Sequence, residues 1–199
     1  MNLPNKLTVI RMILTPFFLI TLLVEFPFRY AVSLLIFIVA SITDYLDGNI
    51  ARKQGIVTSF GKFLDPIADK MLTTAAFLGF MVLGIGHGVV WITFIVLLRE
   101  FIVASVRMVA VSSGGKVIAA NIWGKLKTVA QMVAIIFAIT AKEAVELLVT
   151  FKISANVIEK IVPVLNISTD ILLWVSAILC VISGVIYLID NKEFIDTTK

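Results

Sequence analysis

Apolar stretches long enough to cross a lipid bilayer follow one another along almost the whole chain. About 20 apolar residues in a helix span a hydrocarbon core ~30 Å thick. Because lipid offers no hydrogen bonds to peptide groups, such stretches fold as helices. We therefore predict an all-α, polytopic membrane protein, a bundle of six transmembrane helices that forms one domain over residues 1–199. The spans cover about 7–25, 28–54, 58–84, 88–112, 121–142 and 168–190.

The composition excludes a soluble globular protein. Hydrophobic residues make up 60% of the chain and charged residues 15%, against roughly 45–50% and 25% in soluble domains. The first span is followed by Glu25, Phe26 and Pro27 and lacks the small residues of a cleavage site, so we expect it to be retained. The lone Cys180 predicts neither a disulfide nor a thiolate metal site. His87 is expected to be an exposed residue of a glycine-rich turn.

The 17 basic residues are distributed unevenly between the two sides of such a bundle. If the N-terminus is cytosolic, the outer side holds only four of them, Arg29, Lys142, Lys152 and Lys160. This positive-inside bias predicts a multi-pass protein of the cell membrane with both termini in the cytosol and a short N-terminal juxtamembrane segment. The net charge of +4 is then explained by topology and by anionic ligands, and it does not indicate nucleic-acid binding.

The segment 143–167 is the least regular part of the chain. Charged residues and Pro163 interrupt its apolar pattern, which makes it a poor candidate for a seventh span. We predict that it forms an amphipathic helix on the membrane surface between the fifth and sixth spans.

Four aspartates lie near the cytosolic ends of the second and third spans, namely Asp44, Asp47, Asp65 and Asp69. The first two are three residues apart and the last two are four apart, so each pair shares one helix face. At about 1.5 Å per residue, the apolar stretches beyond these acids are too short to cross a bilayer alone, which places the acids within membrane depth. Charged groups at that depth usually line a watery functional cavity.

The two aspartate pairs belong to a helical hairpin. Gly55 predicts the end of the second helix, and Thr58 or Ser59 predicts the start of the third. Converging carboxylates repel one another unless they are protonated or bind cations. Oxygen ligands without His or Cys suit Mg²⁺ or Mn²⁺. The alternative is a set of structural salt bridges to the neighbouring bases, which are Arg52, Lys53, Lys62 and Lys70.

Basic residues of the fourth and fifth spans lie on the same side of the membrane as the acids. Arg99 lies near mid-membrane, Arg107 follows eight residues later on the same helix face, and Lys125 and Lys127 open the fifth span. An arginine within the membrane needs a partner, which is Glu100, an aspartate or a ligand phosphate. Lys127 is equally explained as a head-group anchor. Acids, divalent cations and a basic rim together indicate phosphate chemistry.

The acid motif resembles the signature of the CDP-alcohol phosphotransferase family. The spacing D-x2-D-G-x2-A-R-x8-G-x3-D-x3-D is met by Asp44, Asp47, Gly48, Ala51, Arg52, Gly61, Asp65 and Asp69. The opening MNLPNKLTVIRMILTP, the LLREF around Arg99 and the GKLKT at 124–128 are similar to one branch of that family. The resemblance covers the chain to about residue 135 and the last span more loosely, and it does not include 143–167.

The resemblance implies transfer of the phosphatidyl group of CDP-diacylglycerol to sn-glycerol 3-phosphate, with release of CMP. It further implies that the four aspartates hold one or two Mg²⁺ or Mn²⁺ ions and that Asp69 is also the catalytic general base. Members of the family form homodimers, so a homodimer is expected here. The implied donor-binding residues are Asn5, Thr8, Gly48, Ala51, Arg52 and Gly61, and the implied residues for the acceptor phosphate are Arg99, Arg107, Lys125 and Lys127.

Three other functions are compatible with parts of the pattern. The same chemistry with inositol phosphate, serine or phosphatidylglycerol as the acceptor retains the motif, although a basic rim favours an anionic acceptor. A divalent-cation transporter also uses membrane carboxylates, but its polar path must continue to the outer face. A structural scaffold leaves the eight fixed positions of the motif unexplained.

Overall fold

The computed structural model describes residues 3–54, 59–112 and 122–192, without the side chains of 3–4, 45–54, 59–66, 69 and 111–112. The described ranges contain six α-helices. They are α1 (Leu3–Leu23), α2 (Arg29–Gln54), α3 (Ser59–Leu83), α4 (Val89–Ser112), α5 (Ile122–Thr150) and α6 (Ala155–Asp190). The expected all-α class is confirmed for these residues.

The helical hairpin that carries the acid motif forms as the sequence predicts. α2 ends at Gln54, directly before Gly55, and α3 begins at Ser59. We call this end of the bundle the motif end, and the end with the α1–α2 and α3–α4 loops the far end. The α3–α4 loop turns sharply because Gly84, Gly86 and Gly88 all have positive φ angles, which glycine adopts without strain.

The hydrophobic core fills the half of the bundle near the far end. Phe18 of α1 contacts Phe37 of α2, with ring centroids 5.5 Å apart, and Phe77 and Phe80 of α3 pack edge to face. All four rings are fully buried. α1 packs against α2 and α3, while α6 packs against α4 and α5. This half of the bundle is therefore closed by aromatic rings, which leaves the motif end for polar residues.

The outer surface of the bundle is apolar. Large hydrophobic side chains such as Phe17, Leu35, Val82, Trp91 and Phe101 are more than half exposed. By length and composition, three helical stretches of the described residues are able to cross a membrane, namely Asn5–Leu23, Val89–Ala110 and Ala155–Asp190. An apolar exterior around a partly polar interior is typical of a membrane protein.

The prediction of a surface helix over 143–167 is wrong. α5 continues to Thr150 and α6 already begins at Ala155, so the segment prolongs both helices, and α6 passes through Pro163. Two of the charges that interrupt the apolar pattern make tertiary contacts with the start of α2. Glu146 pairs with Arg29 at 3.1 Å, and Glu143 accepts the backbone N–H of Ala31 at 3.0 Å. Paired charges of this kind do not end a helix.

The far end also holds His87. Its side chain is exposed, which confirms the sequence interpretation. Its backbone N–H donates to Asp170 Oδ1 at 2.7 Å, and its carbonyl oxygen accepts Trp174 Nε1–H at 3.0 Å. These bonds fasten the α3–α4 loop to α6.

The contact between α1 and α3 gives a prediction about stability. A Cβ atom at Gly79 would lie 2.5 Å from Leu22 Cδ2 and 3.3 Å from Leu19 Cδ1. We expect Gly79→Val to lower the free energy of unfolding by ~1–3 kcal/mol through overpacking. Thermal unfolding in detergent measures this. Val82→Leu on the exposed face of α3 is the matched control, and equal melting temperatures for the two variants would contradict the close approach.

Candidate active site

The backbone of α2 and α3 carries the four motif aspartates as two pairs. Asp44 and Asp47 lie in the last three turns of α2, and Asp65 and Asp69 lie in the first three turns of α3. The side chain of Asp44 is described, while those of the other three lie outside the described residues. The same holds for four of the predicted donor-binding residues, Gly48, Ala51, Arg52 and Gly61. Their assigned roles stay predictions.

Asp44 is paired with a buried arginine of α1. Arg11 Nη1 contacts Asp44 Oδ1, and only 3% of the Arg11 side chain is exposed. Thr8 and Asn5, one and two turns earlier on α1, are buried as well. The polar stripe of α1 thus faces the bundle interior beside α2, which is the position that donor binding by Asn5 and Thr8 requires. Arg11 is an addition to the predicted site.

The donor set at the motif end fits a hard divalent cation. Carboxylate oxygens are the ligands that Mg²⁺ and Mn²⁺ prefer, and the motif contains no His or Cys that would favour zinc. Within the described residues no group of three or more His, Cys, Asp or Glu side chains converges, since Asp44 is the one motif acid with a described side chain. The metal site therefore stays a prediction that the donor chemistry supports.

A polar cavity of ≈ 230 Å³ lies beside the acid motif. It begins at Lys70, the residue directly after Asp69, and it is enclosed by α3, α4, α5 and α6. Its described lining residues are Lys70, Arg99, Glu100, Val103, Arg107, Gly124, Lys127, Thr128, Ser183 and Tyr187. Four of these are basic and one is acidic, so the cavity is suited to an anionic ligand.

Three of the basic residues converge on Glu100. Its Oε1 accepts hydrogen bonds from Lys127 Nζ and, at 3.1 Å, from Arg99 Nη1, while its Oε2 accepts one from Lys70 Nζ. The side chains of Lys127, Glu100 and Arg99 are 8–12% exposed. We call Lys70, Arg99, Glu100 and Lys127 the Glu100 cluster; its net charge is +2. Glu100, one of the partners considered for Arg99, is thus in contact with it.

Arg99 is also held by α6. Its Nη2 donates to Ser183 Oγ at 2.8 Å. A Cβ atom at Gly184 would lie 3.0 Å from Arg99 Cγ, so the missing side chain leaves room for the arginine to run along α6. Its Nε is buried without a hydrogen-bond partner among the described residues. A buried orphan donor of this kind is rare and is satisfied by a ligand or by water.

The cavity includes most of the predicted acceptor-binding residues and several residues that were not predicted. Arg99 and Lys127 lie within it and Arg107 lies at its exposed rim, whereas Lys125 is exposed and is not among the lining residues. Lys127 is buried in the cluster, which excludes the reading as a head-group anchor. The residues that were not predicted include Lys70, Ser183 and Tyr187. Lys70 had a signal, since it follows Asp69, but neutral Ser183 and Tyr187 had none.

Comparisons with known proteins agree with the motif. The sequence profile of the family described as CDP-alcohol phosphatidyltransferase matches residues 1–182. The chain is 35% identical to a CDP-diacylglycerol–glycerol-3-phosphate 3-phosphatidyltransferase of Bacillus subtilis, over 100% of this chain and 99% of the relative. Proteins with the same name from Rickettsia bellii and Haemophilus influenzae are 34% and 42% identical, over 97% and 67% of this chain and 97% and 73% of their own lengths.

The match extends further than the motif. It includes 143–167, which the sequence analysis left outside the resemblance, and the structure places this segment in α5 and α6. The helical hairpin with its eight motif positions, the basic cavity behind it and the match over 182 residues lead to one assignment. This chain belongs to the CDP-alcohol phosphatidyltransferase family.

Proposed function

We propose that this protein transfers the phosphatidyl group of CDP-diacylglycerol to sn-glycerol 3-phosphate, giving phosphatidylglycerophosphate and CMP. The observation that carries the choice of acceptor is the buried basic cavity that adjoins the last motif aspartate. The relatives compared above are named for this reaction. The product is a precursor of phosphatidylglycerol, so the proposed role is in phospholipid biosynthesis.

The donor binds at the motif end in this proposal. Asn5 and Thr8 face the interior from α1 and bond the nucleotide, while Arg52 bonds the phosphates. The small residues at 48, 51 and 61 leave room for the cytidine. Asp44, Asp47, Asp65 and Asp69 would hold one or two Mg²⁺ or Mn²⁺ ions, which when bound supply positive charge beside the diphosphate.

The acceptor binds with its phosphate in the cavity and its primary hydroxyl towards Asp69. Asp69 takes the proton of that hydroxyl, and the oxygen attacks the phosphorus that carries the diacylglycerol. A new P–O bond forms as the bond to CMP breaks, and CMP leaves with the bonding electrons. Because Lys70 follows Asp69 directly, one turn of α3 connects the base to the phosphate site.

The cavity suits a small anion. Its volume of ≈ 230 Å³ is below the ~300–1,000 Å³ that is typical of sites for drug-sized ligands. Neutral serine does not use the basic side chains, and a lipid acceptor is too large to enter whole. Inositol phosphate shares the charge of glycerol 3-phosphate and is the remaining competitor.

The described residues argue against a cation transporter. A transport path needs polar groups along its whole length. Between the acid motif and the far end, the described interior contains Phe18, Phe37, Phe77 and Phe80, all without solvent exposure. Aromatic rings therefore interrupt any polar path from the carboxylates to the far end.

The proposed topology has six spans in the cell membrane, both termini in the cytosol and a site that opens to the cytosol. Its support is the distribution of basic residues, because Arg29, Lys142 and Lys152 lie at the far end and the cavity lies towards the motif end. A soluble acceptor then enters from the water while the lipid donor enters from the membrane. A homodimer is proposed from the family resemblance alone.

The first prediction concerns the acceptor. Purified protein with CDP-diacylglycerol and Mg²⁺ is expected to release CMP with glycerol 3-phosphate at least roughly tenfold faster than with inositol phosphate or serine, at equal concentrations. Radiolabelled acceptors identify each lipid product. Equal rates with inositol phosphate would reject the choice of acceptor, and metal flux into sealed vesicles without CMP release would favour the transporter.

The second prediction concerns the base. Asp69→Asn is expected to lower the rate of CMP release by at least ~100-fold, because an amide accepts no proton from the hydroxyl. Binding of CDP-diacylglycerol, measured by thermal shift, should persist. The control is Asp170→Asn at the far end, which makes the same change in a loop contact. Turnover of Asp69→Asn near wild type would show that another group is the base.

The third prediction concerns the rim of the cavity. Arg107→Ala is expected to raise KM for glycerol 3-phosphate by roughly 10- to 100-fold and to leave KM for CDP-diacylglycerol unchanged, because one charged contact to the phosphate is lost. Lys152→Ala, an exposed basic residue of the α5–α6 turn, is the control. Lys125→Ala should have a smaller effect than Arg107→Ala, since Lys125 is not among the cavity-lining residues. An unchanged acceptor KM in Arg107→Ala would remove this residue from the site.

A further inference from the structure

Glu100 is the one acidic side chain among the described residues that line the basic cavity. It is 11% exposed, and a buried carboxylate is strongly destabilising unless it is paired. Within a cavity that binds an anion it also repels the ligand. A carboxylate at this position therefore needs a function that outweighs both effects.

The contacts of Glu100 connect the helices around the cavity. Lys70 comes from α3, Arg99 from α4 and Lys127 from α5, and all three bind the Glu100 carboxylate. α6 joins through the bond from Arg99 to Ser183. Both carboxylate oxygens are used, so the position of Glu100 fixes three cations from three helices at once.

Without Glu100, the three cations would repel one another. Like charges in a poorly hydrated site separate towards solvent or towards other partners. Lys70, whose side chain is 35% exposed, is the one with the shortest way to water. The phosphate of an acceptor would then have to collect the cations again, and this reorganisation would weaken its binding.

The hydrogen-bonding capacity of the cluster is not exhausted by Glu100. A lysine ammonium has three donors and an arginine guanidinium has five. Lys70 and Lys127 each donate one described bond to Glu100, and Arg99 donates to Glu100 and Ser183. The Nε of Arg99 is buried with no partner among the described residues. Donors therefore remain for a ligand while Glu100 stays in place.

We propose that Glu100 is a positioning residue that holds Lys70, Arg99 and Lys127 as a prearranged site for the phosphate dianion of the acceptor. The net charge of +2 on the Glu100 cluster matches the charge of a phosphomonoester, which is about −2 at neutral pH. Glu100 acts through the three cations and does not touch the acceptor. This inference rests on the proposed function, since it presumes that the acceptor phosphate binds in this cavity.

The test uses Glu100→Gln in the full-length protein. We expect KM for glycerol 3-phosphate, and the inhibition constant of inorganic phosphate against it, to rise by roughly 10- to 100-fold. KM for CDP-diacylglycerol should stay within about twofold of wild type. Glu100→Asp keeps the charge but withdraws it by one methylene. Its KM for glycerol 3-phosphate and its inhibition constant for inorganic phosphate, the two acceptor constants, should therefore lie between those of wild type and Glu100→Gln. Inorganic phosphate reports on the site without itself being turned over.

The matched control is Glu146→Gln, which makes the same substitution in the Arg29–Glu146 pair at the far end. It should leave both acceptor constants unchanged even if it lowers the melting temperature. If Glu100→Gln changes donor and acceptor constants in equal proportion, Glu100 merely fastens helices and the proposal is wrong. If Glu100→Gln does not fold, Glu100→Asp decides, and an unchanged phosphate inhibition constant in that variant overturns the proposal.

A double-mutant cycle with Lys127→Met tests the mechanism. If Glu100 acts by placing Lys127, the loss in acceptor kcat/KM on adding Glu100→Gln will be smaller in the Lys127→Met background than in wild type. Full additivity would contradict action through Lys127. Failure of the proposed function looks different, because wild type itself would then release no CMP with glycerol 3-phosphate. If wild type is active and Arg107→Ala raises the acceptor KM while Glu100→Gln does not, only the role of Glu100 fails.

Discussion

Charge that is buried in an apolar bundle has to be compensated within the bundle, and the arrangement of this protein follows from that requirement. Acids are concentrated on α2 and α3, and bases on α4 and α5 with Lys70 of α3. Among the described side chains, each group has a counter-charge. Arg11 of α1 is paired with Asp44 beside the acids, and Glu100 of α4 lies among the bases. An opposite charge reduces the repulsion in each group, and in the proposed function each group binds a ligand whose charge is opposite to its own.

The half of the bundle near the far end is stabilised by packing, and the half near the motif end holds the residues proposed for the reaction. Towards the far end, buried aromatic rings and Leu22 pack α1, α2 and α3 together. Far-end loops are fastened by Arg29–Glu146 and by His87 with Asp170. Because the packing and the loop contacts hold the helices there, the other half can contain charged residues that weaken packing. The polar site therefore lies at the motif end, and the apolar core borders it on the side of the far end.

Much of the fold could be predicted from the sequence because its signals are local. Apolar length located the helices, and Gly55 with Thr58 or Ser59 predicted the end of α2 and the start of α3. The extension of α5 and α6 was missed because charged residues and Pro163 were taken to interrupt the apolar pattern, although Glu143 and Glu146 bind α2 and α6 passes through Pro163. The site was predicted in part for a similar reason. Charged residues such as Arg99 and Lys127 can be recognised in the sequence because they interrupt an apolar helix. Ser183, in contrast, reaches the cavity only because α6 packs against α4.

Arg99 shows how the same side chain serves the lipid-facing surface and the polar site. Its guanidinium lies in the polar cavity with Glu100 and Ser183, and its aliphatic stem passes Gly184. The stem also lines an apolar groove of ≈ 170 Å³ between α4 and α6, together with Ile95, Leu98, Ile102, Val181, Val185 and Leu188. A long amphipathic side chain is able to border both environments because its stem is apolar and its tip is charged. Lysine would lack the planar fork that reaches Glu100 and Ser183 together. The separation of the polar cavity from the apolar groove thus depends on an arginine on α4 and a glycine opposite it on α6.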